Sequence, residues 1–143
     1  MLFAGNYDRT LDNKNRIVMP PKLKTCLEGE SIFLCHQPNE SFLRAYKYSE
    51  WEKLAEKYLL VDNDDVDRSR IQRMIFLNGE NCTFDGSGRF TVNPKFCKMV
   101  GIEKDVVMLG VGKRIEIWGK EVFEKNLGDI LYEEPGAGSV FPY

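Results

Sequence analysis

The chain has 143 residues, 20 Lys and Arg against 22 Asp and Glu for a formal charge of −2, and 43% hydrophobic residues. That length holds one ordinary domain or two very small ones and excludes a multidomain enzyme. The near-neutral charge excludes a protein basic throughout, and the hydrophobic content excludes wholesale disorder.

From Met1 to Arg9 there is no basic stretch followed by an apolar one, and no apolar run approaches ~20 residues, so the sequence reads as soluble and unsecreted, with no membrane partner. Asn6 to Leu11 suits a short strand. The turn-rich residues Asp12 to Arg16 follow, and Arg16 to Met19 suits a returning strand, giving a hairpin or a crossing of two strands. Pro21 fits the first turn of a short helix. Ser31 to Leu34 and Leu43 to Tyr46 read as two further strands. A helix then opens with Ser49 and Glu52 in a capping-box pattern, and Trp51, Leu54, Ala55, Tyr58 and Leu59 share one face. The acidic run Asp62 to Asp67, with Arg68 to Leu77 behind it, fits a connecting helix whose carboxylates sit at the positive end of the dipole. A calcium loop is disfavoured there by Asp67 at its sixth position and Arg73 at its twelfth.

After residue 77 the pattern starts again. Asp85, Arg89, Pro94 and Lys95 stand where Asp12, Arg16, Pro21 and Lys22 stood, at one fixed offset. Asn81 to Phe84 and Arg89 to Val92 suit strands, Asn93 is a good N-cap before Pro94, and Gly101 is a good stop. Asp105 to Met108 and Ile115 to Trp118 repeat the next two strands, and Phe123, Leu127, Ile130 and Leu131 repeat the helical stripe. The expected division is a first repeat with its helix over 1–60 (core about 5–47), a connecting helix over 61–77, a second repeat with its helix over 78–130 (core about 78–120) and an irregular tail over 131–143. Strands mixed with helices in both halves make the fold class α+β.

In each loop the Asp can accept backbone hydrogen bonds and hold the Arg in one rotamer. Asn13 and Asn15 in the first loop, and Gly86 and Gly88 in the second, tolerate positive φ. If Ile17, Met19, Phe90 and Val92 face the core, Arg16 and Arg89 point outward. An outward guanidinium on a rigid loop suits a phosphate or a guanine edge; a surface ion pair that merely closes a turn is the simpler role for one such loop taken alone. Local charge separates the copies. Arg9, Lys14, Arg16, Lys22 and Lys24 outnumber Asp8 and Asp12 in the first 24 residues, whereas the second loop has only Arg89, Lys95 and Lys98 nearby. Cys26, Cys35, Cys82 and Cys97 form no C-x-x-C pair, and His36 is the only histidine, so neither a metal, another cofactor nor a catalytic cluster is expected.

The paired Asp-x-x-x-Arg loops, each followed by an apolar strand and a Pro, with Leu11-Asp12 and Tyr46 before Trp51, resemble the MraZ family of bacterial transcriptional regulators from about Gly5 to Leu127. The resemblance implies AbrB-like βαβ repeats forming a double-split β-barrel with flanking helices. It further implies a ring-shaped homo-oligomer that binds repeated double-stranded DNA sites near its own promoter, in a division and cell-wall gene cluster, and usually represses it. Such a protein is expected in the cytoplasm on the nucleoid. Arg16, Lys14 and Arg9 are then the expected DNA-binding residues. Asp12, Asn15, Asp85, Gly86, Gly88 and Arg89 organise the loops, with Asn15 standing where the family often has Gly. A ring-forming scaffold or protein-interaction module without direct DNA readout is the competing expectation.

Overall fold

The structure is a computed structural model that describes residues 1–60 and 66–128. The acidic run from residue 62 to 65, the end of the second helical stripe at Ile130 and Leu131, and the tail over 131–143 lie outside the described residues. The first unit runs β1 (Phe3–Thr10), β2 (Arg16–Val18), α1 (Pro21–Cys26), β3 (Ile32–Cys35), β4 (Leu43–Lys47) and α2 (Tyr48–Leu54). A π-helical turn, Ala55–Leu59, extends α2, and α3 (Val66–Leu77) crosses to the second unit. There β5 (Gly79–Cys82), β6 (Arg89–Thr91), α4 (Pro94–Val100), β7 (Asp105–Gly112), β8 (Arg114–Gly119) and α5 (Lys120–Lys125) repeat the order.

The strands form two sheets: a six-stranded antiparallel sheet in the order β1-β7-β8-β4-β3-β5, and a two-stranded ribbon of β2 and β6. Exchanging each strand for its counterpart in the other unit turns the order of the large sheet into its own reverse, so the chain carries an internal two-fold relation. Each unit's first strand pairs in the other unit, β1 on β7 and β5 on β3. The strands flanking each Asp-x-x-x-Arg loop therefore cross and do not form a hairpin, because β1 and β5 find longer partners elsewhere while β2 and β6 pair with each other. The α+β class is observed; the described strands form two sheets and not one hydrogen-bonded ring.

Alternation along the central strands fills two cores. Ile32, Leu34, Leu43, Ala45, Ile115 and Ile117 face the ribbon, α1 and α4, and join Ile17, Met19, Phe90 and Val92 in one cluster drawn from both units. Phe33, Cys35 and Tyr46 face the other way, where Trp51, Leu54, Ala55, Leu59 and Ile75 cover them. Phe33 and Trp51 stack with their ring centroids 4.0 Å apart. In the second unit α5 has no buried residue, although its sequence repeats part of the apolar stripe of α2.

Helix ends follow local chemistry, with one correction. Asn93 caps α4 by accepting from Lys95 N, and Gly101 stops it with φ 71°. The Ser49–Glu52 capping box does not form. Lys47 occupies the N-cap, and Glu30 reaches across instead, accepting from Ser49 N at 2.9 Å and Ser49 Oγ at 3.0 Å. The Tyr58 and Leu59 carbonyls at the end of the π turn accept from Arg68 and Gln72 of α3, which satisfies groups that a helix end leaves open.

Candidate nucleic-acid interface

The two loops are near copies in their bonding. In the first, Asp12 Oδ1 accepts from Lys14 N at 2.9 Å and Arg16 N at 2.8 Å, while Oδ2 accepts from Arg16 Nε at 2.7 Å. In the second, Asp85 Oδ1 accepts from Ser87 N at 2.9 Å and Arg89 N at 2.9 Å, and Oδ2 accepts from Arg89 Nε at 2.8 Å. One carboxylate thus closes the turn and fixes the guanidinium by its Nε edge. The two terminal nitrogens, Nη1 and Nη2, make no hydrogen bond among the described residues at either arginine. Arginine is suited to this division of labour because its planar fork offers donors on separate edges.

These bonds also hold both carboxylates ionised. The Arg16 N–H is the main influence that lowers the pKa of Asp12, and the Arg89 N–H does the same for Asp85. A carboxyl lowered in the folded state contributes stability above its ordinary value of 3.8 and loses it as pH falls through the folded value. We expect the amide resonances of Lys14, Arg16, Ser87 and Arg89 to hold steady through mild acid and to move together only below that ordinary value. Movement at higher pH would mean that the carboxylates do not carry the loops.

Positive φ is confined to one residue per loop, Asn15 at 58° and Gly88 at 76°. Asn13 and Gly86 do not use the freedom their side chains allow, and a Cβ on Gly86 would meet nothing within 4 Å. The two left-handed residues also lock the units together. Asn15 O accepts from Val92 N at 2.8 Å, and Gly88 O accepts from Met19 N at 3.0 Å.

The ribbon register sets where the arginines lie. Arg16 pairs with Thr91, Ile17 with Phe90 and Val18 with Arg89. Ile17 and Phe90 point into the core; Arg16, Val18, Arg89 and Thr91 share the opposite face, with Val18 44% exposed. Arg16 and Arg89 are diagonal neighbours on that face, with Cα atoms on the order of 7–8 Å apart. Arg9 approaches from β1, donating from Nε to Val18 O at 3.2 Å and from Nη1 to Asp8 O at 2.8 Å. Lys14 is exposed on the first loop.

Sequence reasoning counted Lys24 among the basic residues of the first unit and missed its place at the second loop. It lies on α1 of the first unit, yet its Nζ sits 5.6 Å from the centre of the Phe84 ring and 3.5 Å from the point a Cβ on Gly88 would occupy. Its signal was its place in the duplicated motif, but using that signal requires knowing that each loop docks on the opposite unit.

His36 and Cys35 lie apart from this face. Cys35 is buried at the end of β3, where burial pushes its thiol up to about 12, and His36 Nε2 lies 2.8 Å from Glu40 O. The four cysteines are free thiols. No helix among the described residues is long and apolar enough to cross a membrane.

Two like units that exchange strands around a shared core, with matched Asp–Arg loops on one ribbon face, define a duplicated α+β protein whose distinctive chemistry is presented on its surface. Comparison with known proteins gives the family. The profile described as "MraZ protein, putative antitoxin-like" matches residues 2–74 and again 75–134. The chain is 34% identical over 134 residues to the transcriptional regulator MraZ of Clostridium tetani, covering 93% of each protein. It is 34% identical over 124 residues to the transcriptional regulator MraZ of Heliobacterium modesticaldum, covering 87% of this chain and 85% of the relative. The chain belongs to the MraZ family, a family of transcriptional regulators and not of enzymes.

Proposed function

We propose that this protein is a sequence-specific DNA-binding regulator that represses transcription from repeated sites upstream of its own division and cell-wall gene cluster. It acts in the cytoplasm, on the nucleoid, as a ring-shaped homo-oligomer, and its sheet and ribbon form a double-split barrel. Its first repeat spans 1–60 and its second 78–130, joined by the helix over 61–77. The observation that carries the DNA reading is the fixed, outward guanidinium of Arg16, held at Nε with no hydrogen bond at Nη1 or Nη2 among the described residues, beside the exposed Lys14. In this mechanism Asp12 and Asn15 set the loop, Arg16 reads a base edge or phosphate, and Lys14 and Arg9 contribute positive charge. Several subunits on one DNA raise the effective concentration for each further contact, so single contacts can be weak.

Binding of the DNA upstream of its own gene should be measured for wild type and Arg16→Ala, with assembly checked by light scattering. The substitution is expected to weaken specific binding by about 10- to 100-fold, the equivalent of about 1–3 kcal/mol, at unchanged oligomer size. Unchanged affinity with an altered assembly would instead favour a ring-forming scaffold in which the loops set subunit packing.

A further inference from the structure

We propose that the second end of the ribbon is also a DNA-phosphate contact, built by Lys24 and Arg89 from different units. This proposal rests on the DNA reading above. Applying the internal offset to the charged positions exposes a compensation. Lys14 in the first loop corresponds to Ser87 in the second, so the second loop lacks the lysine of the first. Lys24 on α1 corresponds to Cys97 on α4, which is buried in the shared core. Because each loop docks on the opposite unit's strand end, α1 stands beside the second loop and α4 beside the first. The first end therefore takes its lysine from within the loop, and the second end takes it from the neighbouring helix. Each end of the ribbon then sets a lysine beside its loop arginine, and at the second end Arg9 also reaches the Val18 carbonyl, opposite Arg89.

The apolar neighbours have changed in step. The position of Leu11, buried before the first loop, is occupied before the second by the half-exposed Phe84. Its ring lies under Lys24 Nζ, an arrangement in which the aromatic face attracts the ammonium and holds it at the loop. Lys24 forms no ion pair among the described residues. Arg89 is tethered at Nε alone, as Arg16 is. A lysine ammonium and the open edge of a guanidinium both suit phosphate oxygens, and contacts of this kind position a protein on duplex DNA without selecting sequence.

The test compares salt dependence of binding to the upstream DNA and to a scrambled duplex of equal length. Lys24→Ala is expected to weaken binding to both by roughly eightfold per contacted subunit at 0.1 M salt, and to reduce the slope of log affinity against log salt by about 0.9 for each such contact. Adding Ser87→Lys, which restores the charge from within the loop, should recover both. An unchanged slope in Lys24→Ala, alongside a loss in Arg16→Ala, overturns this proposal and leaves the DNA reading standing. A recovered fold without recovered binding in the double variant overturns the equivalence of the two lysines. No effect from either Arg16→Ala or Lys24→Ala overturns the DNA reading itself.

Discussion

Phe90→Ala should lower the free energy of unfolding by about 3–5 kcal/mol, the largest effect expected from a single core substitution here. Phe90 is fully buried on the inner face of the ribbon, opposite Ile17, and its ring meets Phe84 edge to face with centroids 5.8 Å apart. Removing it takes away apolar area and leaves a void that neighbours from both units line, so no single element can shift to fill it. The outer face of the same strand carries Arg89 and Thr91, which couples the core to the basic surface. Urea unfolding followed by fluorescence measures the loss, and a cost below about 1 kcal/mol would show that the ribbon closes over the vacancy.

Glu40→Ala is expected to be comparably severe, at about 3–5 kcal/mol, for an electrostatic reason. Arg44 is only 2% exposed on β4 and donates to Glu40 Oε1 at 2.8 Å, to Glu40 Oε2 at 2.5 Å and to the Tyr46 hydroxyl at 3.0 Å. Burial works against the charged guanidinium, but Glu40 and Tyr46 outweigh it and keep Arg44 protonated. Without Glu40 a buried charge loses a bidentate carboxylate partner. Replacing the pair together, Glu40→Leu with Arg44→Met, removes that burden and should restore most of the stability. A double-mutant cycle in urea gives the coupling; equal losses in the single and double variants would show that the pair is not what Glu40 sustains.

The parts of this fold legible in the sequence are those governed by neighbours in the chain. An Asp four residues before an Arg, Pro21 and Pro94 at the first turn, Asn93 as a cap and Gly101 as a stop each express a local rule, and each stands where the sequence places it. Strand positions followed from apolar alternation for the same reason. Pairing did not follow, since β1 could fold back on β2 or cross to β7, and only contacts between the units decide. The cap of α2 was misread because Ser49 and Glu52 fit a local pattern while Glu30, nineteen residues upstream, supplies the acceptor. Arg44 gave no sequence signal, as an arginine in an apolar strand does not announce that Glu40 will follow it into the interior. At the candidate site, the loops and the outward direction of Arg16 and Arg89 were legible. Their meeting on one face with Lys24 was not, because it depends on the ribbon register.

Strand exchange also governs when this protein can begin to fold during its synthesis. Among the described residues β1 pairs with β7 alone, with Phe3 opposite Gly112, so the first strand of the first unit waits for the third strand of the second. Closing a loop of that span carries an entropic cost that local hairpins avoid, and folds dominated by such pairings form slowly. Until β7 and β8 emerge, β3, β4, β5 and the two ribbon strands can be present, but β1 has no partner and the side of β4 that takes β8 is bare. Translation of the second half is therefore the step that lets the first half become native, and a chain released early presents an open β edge to its neighbours.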